Sequence, residues 1–452
     1  MRRVALINPP APGPLLRDYF CTSVAKTGYL WHPIDLLTLS GFVAGRHEPV
    51  VVDAVAEGLD GDAALTRLGR GGLLATVFLA AAGRPEDLAF AARVKEAKGG
   101  LLVGLGEELL GGPGEALERH PHLDAVVTDF TADSLVRWFD GERGGLPGIV
   151  WRDGDHVRGD AAPARGTFSI PPPEHAQFPL DGYRLPFAVA HPWATVLASF
   201  GCPFGCAYCN SGTFGYKARD PGNLAEELDL VQALGIRHVF VRDMTFAADR
   251  AHGAAIVDVL EGRGLTWNCH CRIDRVDQAL LGSMAASGCV MIHFGVESAS
   301  ADLRAALGRG TGVERAADAF RWAREAGIGA GAHFILGLPG EDEADVGRTI
   351  ALARSLRPDY ASFNVYTPRA GSALARRLRD EGRLAPGARD SSFGEYRVTG
   401  GIPPARLERL RRRAVLSFYA DPRYLLRQAG RVRSLDGLLR LARAGLGVVA
   451  GP

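Results

Sequence analysis

The sequence predicts an α/β protein: an N-terminal doubly wound parallel sheet, then a partial (β/α)6 barrel, then a C-terminal helical segment. Three observations carry this. Up to about residue 145, short β-branched or apolar runs alternate with helical patterns. From about Ala194 to Leu384 a second series of strand-then-helix repeats follows. After Pro386 the chain is arginine-rich, with Leu407, Leu410, Ala414 and Phe418 on one helical face. A length of 452 residues accommodates two or three such domains. The expected divisions are 1–145, a linker at 146–193, the barrel at 194–385 and the helical region at 386–452.

In the first division Val4–Ile7, Pro49–Asp53, Leu74–Leu79, Leu101–Val103 and Ala125–Val127 are the candidate strands. Ligands of such sheets bind beyond the carboxyl ends of the strands. Trp151 to His156 reads as a hairpin turning at Asp153-Gly154, and Pro171, Pro172, Pro173 and Pro179 mark an extended crossing segment. Barrel strands are expected at Thr195–Ala198, Val239–Val241, Trp267–Cys271, Met291–Phe294, Ala330–Ile335 and Tyr360–Tyr366. Their carboxyl ends are where a barrel places catalytic groups. Arg406, Arg409 and Arg411–Arg413 read as a solvated face.

Composition narrows the function class. With 47% hydrophobic and 23% charged residues the chain is an ordinary globular protein, and a net charge of +1 gives no reason to expect nucleic acid as a partner. Prolines 9 and 10 interrupt the apolar start before a signal-peptide core forms, and no apolar run reaches the ~18 to 20 residues that cross a bilayer. A cytoplasmic location is therefore expected. Seven cysteines is an odd number, which suits a reducing compartment.

Cys202, Cys206 and Cys209 stand in Gly201-Cys-Pro-Phe-Gly-Cys-Ala-Tyr-Cys-Asn210. Three thiolates so spaced can hold three irons of a [4Fe–4S] cluster and leave one iron open. A closed zinc knuckle would supply a fourth Cys or His at similar range, and none follows closely. Buried inert cysteines would not need the turning loop that Gly201, Pro203 and Gly205 make.

This run resembles the cluster motif of the radical SAM superfamily. The resemblance implies that the open iron chelates S-adenosylmethionine and that reductive cleavage releases a 5′-deoxyadenosyl radical. It extends along the barrel. Tyr208 resembles the aromatic near the adenine, and Asp243, ending the second barrel strand, the polar partner of the methionine amino group. Gly295-Val296-Glu297-Ser298, preceded by His293, is similar to the family's Gly-Val-Glu-Ser strand end, whose Glu and Ser approach the adenosylmethionine. Gly337 and Leu338, in Phe334 to Glu341, match the fifth-strand segment, where glycine lets the backbone approach the nucleoside. Asn364 to Gly371, with Pro368, matches the sixth. Arg272 suits the adenosylmethionine carboxylate or, equally, an ion pair with Asp274. Glu297, Asp243 and His293 are the candidates for acid or base work. Cys269 and Cys271 share one strand face and read as packing, since no cysteine follows Cys289 to complete a second cluster.

The N-terminal half resembles the cobalamin-binding-type domain, Rossmann-like, that precedes many radical SAM cores. The shared features are Asn8-Pro9-Pro10, Asp53 and the helix entry at Pro85. Two reaction types occur among such relatives: cobalamin-dependent methyl transfer, and the radical dehydration of aminoglycoside-pathway diol dehydratases. The Asp-x-His-x-x-Gly cobalt-ligating run is absent, Asp124 to Ser134 replaces a Gly-Glu-Gly-Glu turn, and Glu107 and Glu108 follow Gly106 where a phosphate-bearing tail would need access. Asp35, Glu107, Asp129 and Asp133 would instead suit a cationic amino sugar. The expectation is therefore a lyase that dehydrates or deoxygenates a polyhydroxylated small molecule in antibiotic or other natural-product biosynthesis, with cobalamin unsettled. A cobalamin-dependent C-methyltransferase is the alternative, and a non-catalytic iron–sulfur sensor or scaffold the second. The expected partners are the small-molecule substrate and a one-electron donor such as flavodoxin or ferredoxin, with a separate reductase if the product is a ketone.

Overall fold

The computed structural model describes residues 1–19, 23–24, 28–210, 214–369, 371–384 and 398–429. The chain forms two compact units. One holds Met1–Ala25, Tyr29–Pro203 and Asn210–Asp243, the other Lys26–Gly28, Phe204–Cys209 and Met244–Pro452.

The first unit begins with β1 (Arg3–Asn8), the two-residue pair β2 (Leu15–Leu16) and β3 (Ser23–Val24), then β4 (Glu48–Asp53), β5 (Ala75–Leu79), β6 (Leu101–Leu105) and β7 (Ala125–Val127). The hairpin of β8 (Ile149–Asp153) and β9 (His156–Asp160) joins them in one sheet of order β4-β1-β5-β6-β7-β8-β9. From β4 to β7 all neighbours are parallel. Their near-continuous apolar sequences are what a sheet covered on both faces requires, and β5 is buried at every position. The hairpin expected in the linker is the antiparallel edge of this sheet, with Trp151 opposite Ala125. Its inward residues Ile149, Val150 and Trp151 are buried, whereas β9 is largely exposed, as an edge strand can be. Strand order reverses between β1 and β5. That crevice is where an open α/β sheet binds ligands.

The barrel series opens in the same unit with β10 (Ala194–Val196), the antiparallel pair β11 (Ser199–Gly201) and β12 (Tyr216–Ala218), and β13 (His238–Phe246), which pairs in parallel with β10. In the second unit β14 (Thr266–Arg272), β15 (Cys289–Glu297), β16 (Gly329–Leu336) and β17 (Tyr360–Val365) pair in parallel in chain order. Four of the helices between the strands begin on aspartates. Asp220, Asp249, Asp277 and Asp342 each accept an N-terminal amide of the helix that follows. Each such cap stabilises its helix by about 1 kcal/mol and sets where the strand-end loop stops.

Helix Pro404–Tyr419 buries Leu407, Leu410, Ala414 and Phe418, the face the arginine-rich periodicity marks out. Tyr419 Oη donates to Ala361 O on β17 at 2.9 Å, and Arg406 pairs with Glu343. Arg409, Arg412 and Arg413 are exposed. Residues 386–397 and 430–452 of the expected helical segment, and Ala370 within the sixth-strand motif, lie outside the described residues. Among the described residues no helix is long and apolar enough to cross a membrane.

Candidate active site

The cysteine loop is launched from a braced turn. Gly201 has φ of +73°, and a Cβ there would lie 2.1 Å from Gly215 O, so only glycine allows the close crossing of β11 and β12. Cys202 N–H donates to Gly215 O at 2.9 Å. Asp243, which the sequence suggests ends its strand, instead lies buried within β13 (His238–Phe246) and accepts from the amides of Ala198 and Ser199 at 2.8 and 2.9 Å and from Ser199 Oγ at 2.6 Å. Its carboxylate therefore holds the strand that leads into the loop. Phe204–Cys209 is knitted into the second unit, with Ala207 N–H on Leu307 O and Leu374 N–H on Ala207 O. Cys202, Cys206 and Cys209 are all free thiols.

Arg272, at the end of β14, spreads its guanidinium over two partners. Nε and Nη2 grip Asp274 at 2.8 and 2.7 Å, Nη1 points at Cys206 Sγ at 3.3 Å, and the plane lies 4.2 Å from the Phe204 ring centroid. The ion pair with Asp274 thus occupies the fork, and a positive charge stands beside a candidate cluster sulfur. Cys269, Cys271 and Cys289 are buried, and burial pushes the Cys271 thiol up to about 12. All three pack within the second unit, apart from the cysteine loop.

Glu297 closes β15 with φ of +68°, a conformation uncommon for a side chain other than glycine, Asn or Asp. The turn swings its carboxylate toward Tyr208, whose hydroxyl donates to Oε1 at 2.7 Å. Arg309 Nη2 lies 2.9 Å from both that oxygen and the Tyr208 hydroxyl. Gly295 is required here, since a Cβ would sit 2.5 Å from Glu297 Oε1. Burial, and then the Glu297 charge, hold the Tyr208 phenol protonated. Arg309, in Gly308-Arg309-Gly310, carries no motif in the sequence; only the fold brings it to Glu297.

Other expected site residues divide. Gly337 takes φ of +77° after β16, and the Glu341 carboxylate accepts from the amides of Gly337 and Leu338. Burial pushes Glu341 up to about 7. Leu338 packs its side chain into an apolar cluster with Leu303, Leu307, Tyr366 and Leu374. Pro368 is buried in the segment after β17. Ser298 is turned to Thr349, 3.4 Å away, and caps the Ser300 amide, so its hydroxyl serves the turn instead of joining Glu297. His293 does not join Glu297 either. Its ring lies tilted beside those of His270 and His333, two histidines that the expected strand pattern leaves unmarked. Burial lowers His293 well below the usual imidazole range and takes His333 to about 4.

At the strand ends of the first unit a buried hydrogen-bond network ties the loops together. Arg17 pairs with Asp87, whose carboxylate also accepts Ala81 N–H, and reaches Asn8 Oδ1 and Pro9 O; Asn8 and Tyr183 both donate to Asp53. Of the acidic residues assigned to an amino sugar, Asp129 forms a buried pair with Lys217 at 2.6 Å, Glu107 and Asp35 are buried, and Asp133 is exposed, 3.5 Å from Arg137; Glu108, expected to repel a phosphate tail, accepts Gly83 N–H. A cationic sugar would find Asp129 already neutralised, and the carboxylate of Glu108 is spent on a backbone amide.

With this geometry in place, the chain can be set beside known proteins. Residues 196–353 match the model of the Radical SAM superfamily. That stretch is a radical SAM domain. A radical SAM domain works with a [4Fe–4S] cluster and S-adenosylmethionine. An uncharacterized methyltransferase of Pyrococcus horikoshii is 28% identical over 348 residues, covering 71% of this chain and 74% of that protein. An anaerobic magnesium-protoporphyrin IX monomethyl ester cyclase of Cereibacter sphaeroides is 28% identical over 293 residues, and the match spans 59% of this chain but 46% of the cyclase. Among solved structures, the cobalamin-dependent S-adenosylmethionine radical enzyme OxsB aligns with TM-score 0.72 and 14% identity over 99% of this chain and 72% of its own. The radical SAM methyltransferase TsrM of Kitasatospora setae aligns with TM-score 0.68 and 18% identity over 90% and 81%. Both share the fold of this chain, N-terminal unit included.

Proposed function

We propose that this chain is a radical SAM enzyme, a cobalamin-dependent methyltransferase of a small molecule. The observation that carries the reading is the resemblance over nearly the whole chain to a cobalamin-dependent radical enzyme, joined to a curated relative that is a methyltransferase. It replaces dehydration as the main reading. The case for dehydration rested on acidic residues that would repel a phosphate tail and attract an amino sugar, and Glu108 and Asp129 are bonded within the protein. The N-terminal relationship likewise favours a corrin cofactor over a scaffold role.

When bound, the cluster and S-adenosylmethionine supply the radical chemistry and cobalamin a methyl carrier. The chain's own residues do the positioning. Cys202, Cys206 and Cys209 are free thiols of the soft donor type that iron–sulfur clusters take, and Arg272 sets a cation beside Cys206. Glu297, oriented by Tyr208 and Arg309, would accept hydrogen bonds from the ribose or the ammonium of S-adenosylmethionine. Gly337, free of a side chain, is placed to let the nucleoside meet backbone. Asp243 acts as a positioning residue for the loop. A one-electron donor such as flavodoxin or ferredoxin delivers the reducing equivalent.

The test is anaerobic turnover of reconstituted enzyme with candidate substrates, with and without cobalamin, read by product mass. A gain of one methyl mass that requires cobalamin supports the reading. Loss of water without cobalamin overturns it.

A further inference from the structure

Three imidazoles meet on neighbouring strands of the second unit. His270 on β14 stands directly opposite His293 on β15, and His333 on β16 lies opposite Gly295, two residues further along. Their ring centroids are 5.2, 5.3 and 5.9 Å apart, and one ring nitrogen from each lies within 4.8 Å of the others.

Two features show that the fold makes room for this group and orients it. Gly331 is the register partner of His293, and a Cβ there would sit 2.5 Å from His293 Nδ1, so the missing side chain is what lets the ring lean over β16. His293 Nδ1 then comes within 3.1 Å of His333 Nε2. The other nitrogen of His333 is 2.7 Å from Ser362 Oγ on β17. With Nδ1–H donated to that hydroxyl, His333 presents the lone pair of Nε2 to the cluster, which is how metal-ligating histidines are held in one tautomer.

We infer that His270, His293 and His333 bind one divalent transition-metal ion of the zinc class, leaving its fourth coordination position open. Imidazole donors suit zinc, copper, iron and nickel, and three histidines with one open position form a pattern that accepts water or a substrate heteroatom. Zinc–nitrogen bonds of about 2.0 to 2.1 Å place tetrahedral ligand nitrogens roughly 3.4 Å apart. The His293–His333 pair is already near that spacing at 3.1 Å. The widest pair must close by roughly 1.4 Å to reach it, a shift that ring rotation supplies. On binding, the proton of His293 Nδ1 moves to Nε2 of the same ring, so His293 ligates as a neutral imidazole and the ion takes the place of the hydrogen bond to His333. The donors are nitrogen where the cysteine loop offers sulfur, and the two sites are separable. The inference goes beyond methyl transfer and does not rest on it.

Cobalt(II) is the probe, added anaerobically to full-length protein in which Cys202, Cys206 and Cys209 are replaced by serine. One equivalent should bind, with visible ligand-field bands and no sulfur charge transfer, and zinc should displace it. In that background H293A and H333A should abolish the bands, while S362A and G331A, which keep all three rings, should weaken binding by about tenfold. In cluster-loaded protein, H333A should lose the zinc and retain the cluster iron. Unchanged cobalt binding in the histidine variants, or no binding at all, overturns the inference. If the histidine variants fail to fold, S362A and G331A decide it: affinities equal to the parent refute the site. Methyl-transfer activity enters none of these readouts, so the two proposals fail separately.

Discussion

Replacing Glu297 by alanine or by glycine separates two effects that the fold combines at one residue. The carboxylate meets Arg309 at 2.9 Å and Tyr208 at 2.7 Å, and the Arg309 side chain is only 12% exposed. Removing one partner of such a buried pair leaves an uncompensated charge and costs about 3 to 5 kcal/mol. The backbone at Glu297 sits at φ of +68°. For a residue with a Cβ that conformation costs roughly 1 to 2 kcal/mol, which glycine does not bear. E297A should therefore lose about 4 kcal/mol of unfolding free energy, and E297G roughly 1 kcal/mol less than E297A. Glycine is ordinarily the more destabilising substitution, so the reversed order is diagnostic. Urea denaturation of the apoprotein under anaerobic conditions measures both, and equilibrium dialysis with S-adenosylmethionine on the cluster-loaded forms should show both variants equally weakened. If E297A proves as stable as E297G or more so, the left-handed turn is not imposed by the fold. If both bind S-adenosylmethionine like the parent, Glu297 is not its ligand.

Glu341 gives a pH signature. Its carboxyl is raised from 4.5 to about 7, chiefly by burial, so the native state holds a proton that the unfolded chain has released. That contribution is complete below pH 4.5 and is lost as pH rises through 7, a span worth about 3 kcal/mol. Thermal unfolding should show E341Q gaining on the parent between pH 5 and pH 8; parallel curves would refute the assignment. In the first unit, K217M strands the buried Asp129 and should cost about 3 to 5 kcal/mol, part of which K217M/D129N restores. Denaturation curves of the single and double variants check it, and additive losses would show that the pair is not coupled. R272A removes the cation 3.3 Å from Cys206 Sγ and should move the cluster potential to more negative values while iron content stays constant. A potential unchanged in redox titration would count against that placement.

The amino-acid sequence by itself determined the architecture and the cofactor class. Hydrophobic period and turn residues are local, and they located the parallel strands and the buried face of the helix at Leu407 to Phe418; the spacing of Cys202, Cys206 and Cys209 is equally local. Tertiary structure decided what spacing does not encode. The hairpin at Trp151 belongs to the sheet because its apolar side chains find a buried edge. Asp129 and Glu108 look like ligand-seeking charges until Lys217 and the Gly83 amide arrive from elsewhere in the chain. Arg309 and the trio of His270, His293 and His333 have no motif, since each owes its neighbours to strand register and loop closure between residues far apart in the chain. A parallel sheet aligns side chains through hydrogen bonds between distant segments, and those partners are chosen only when the chain folds.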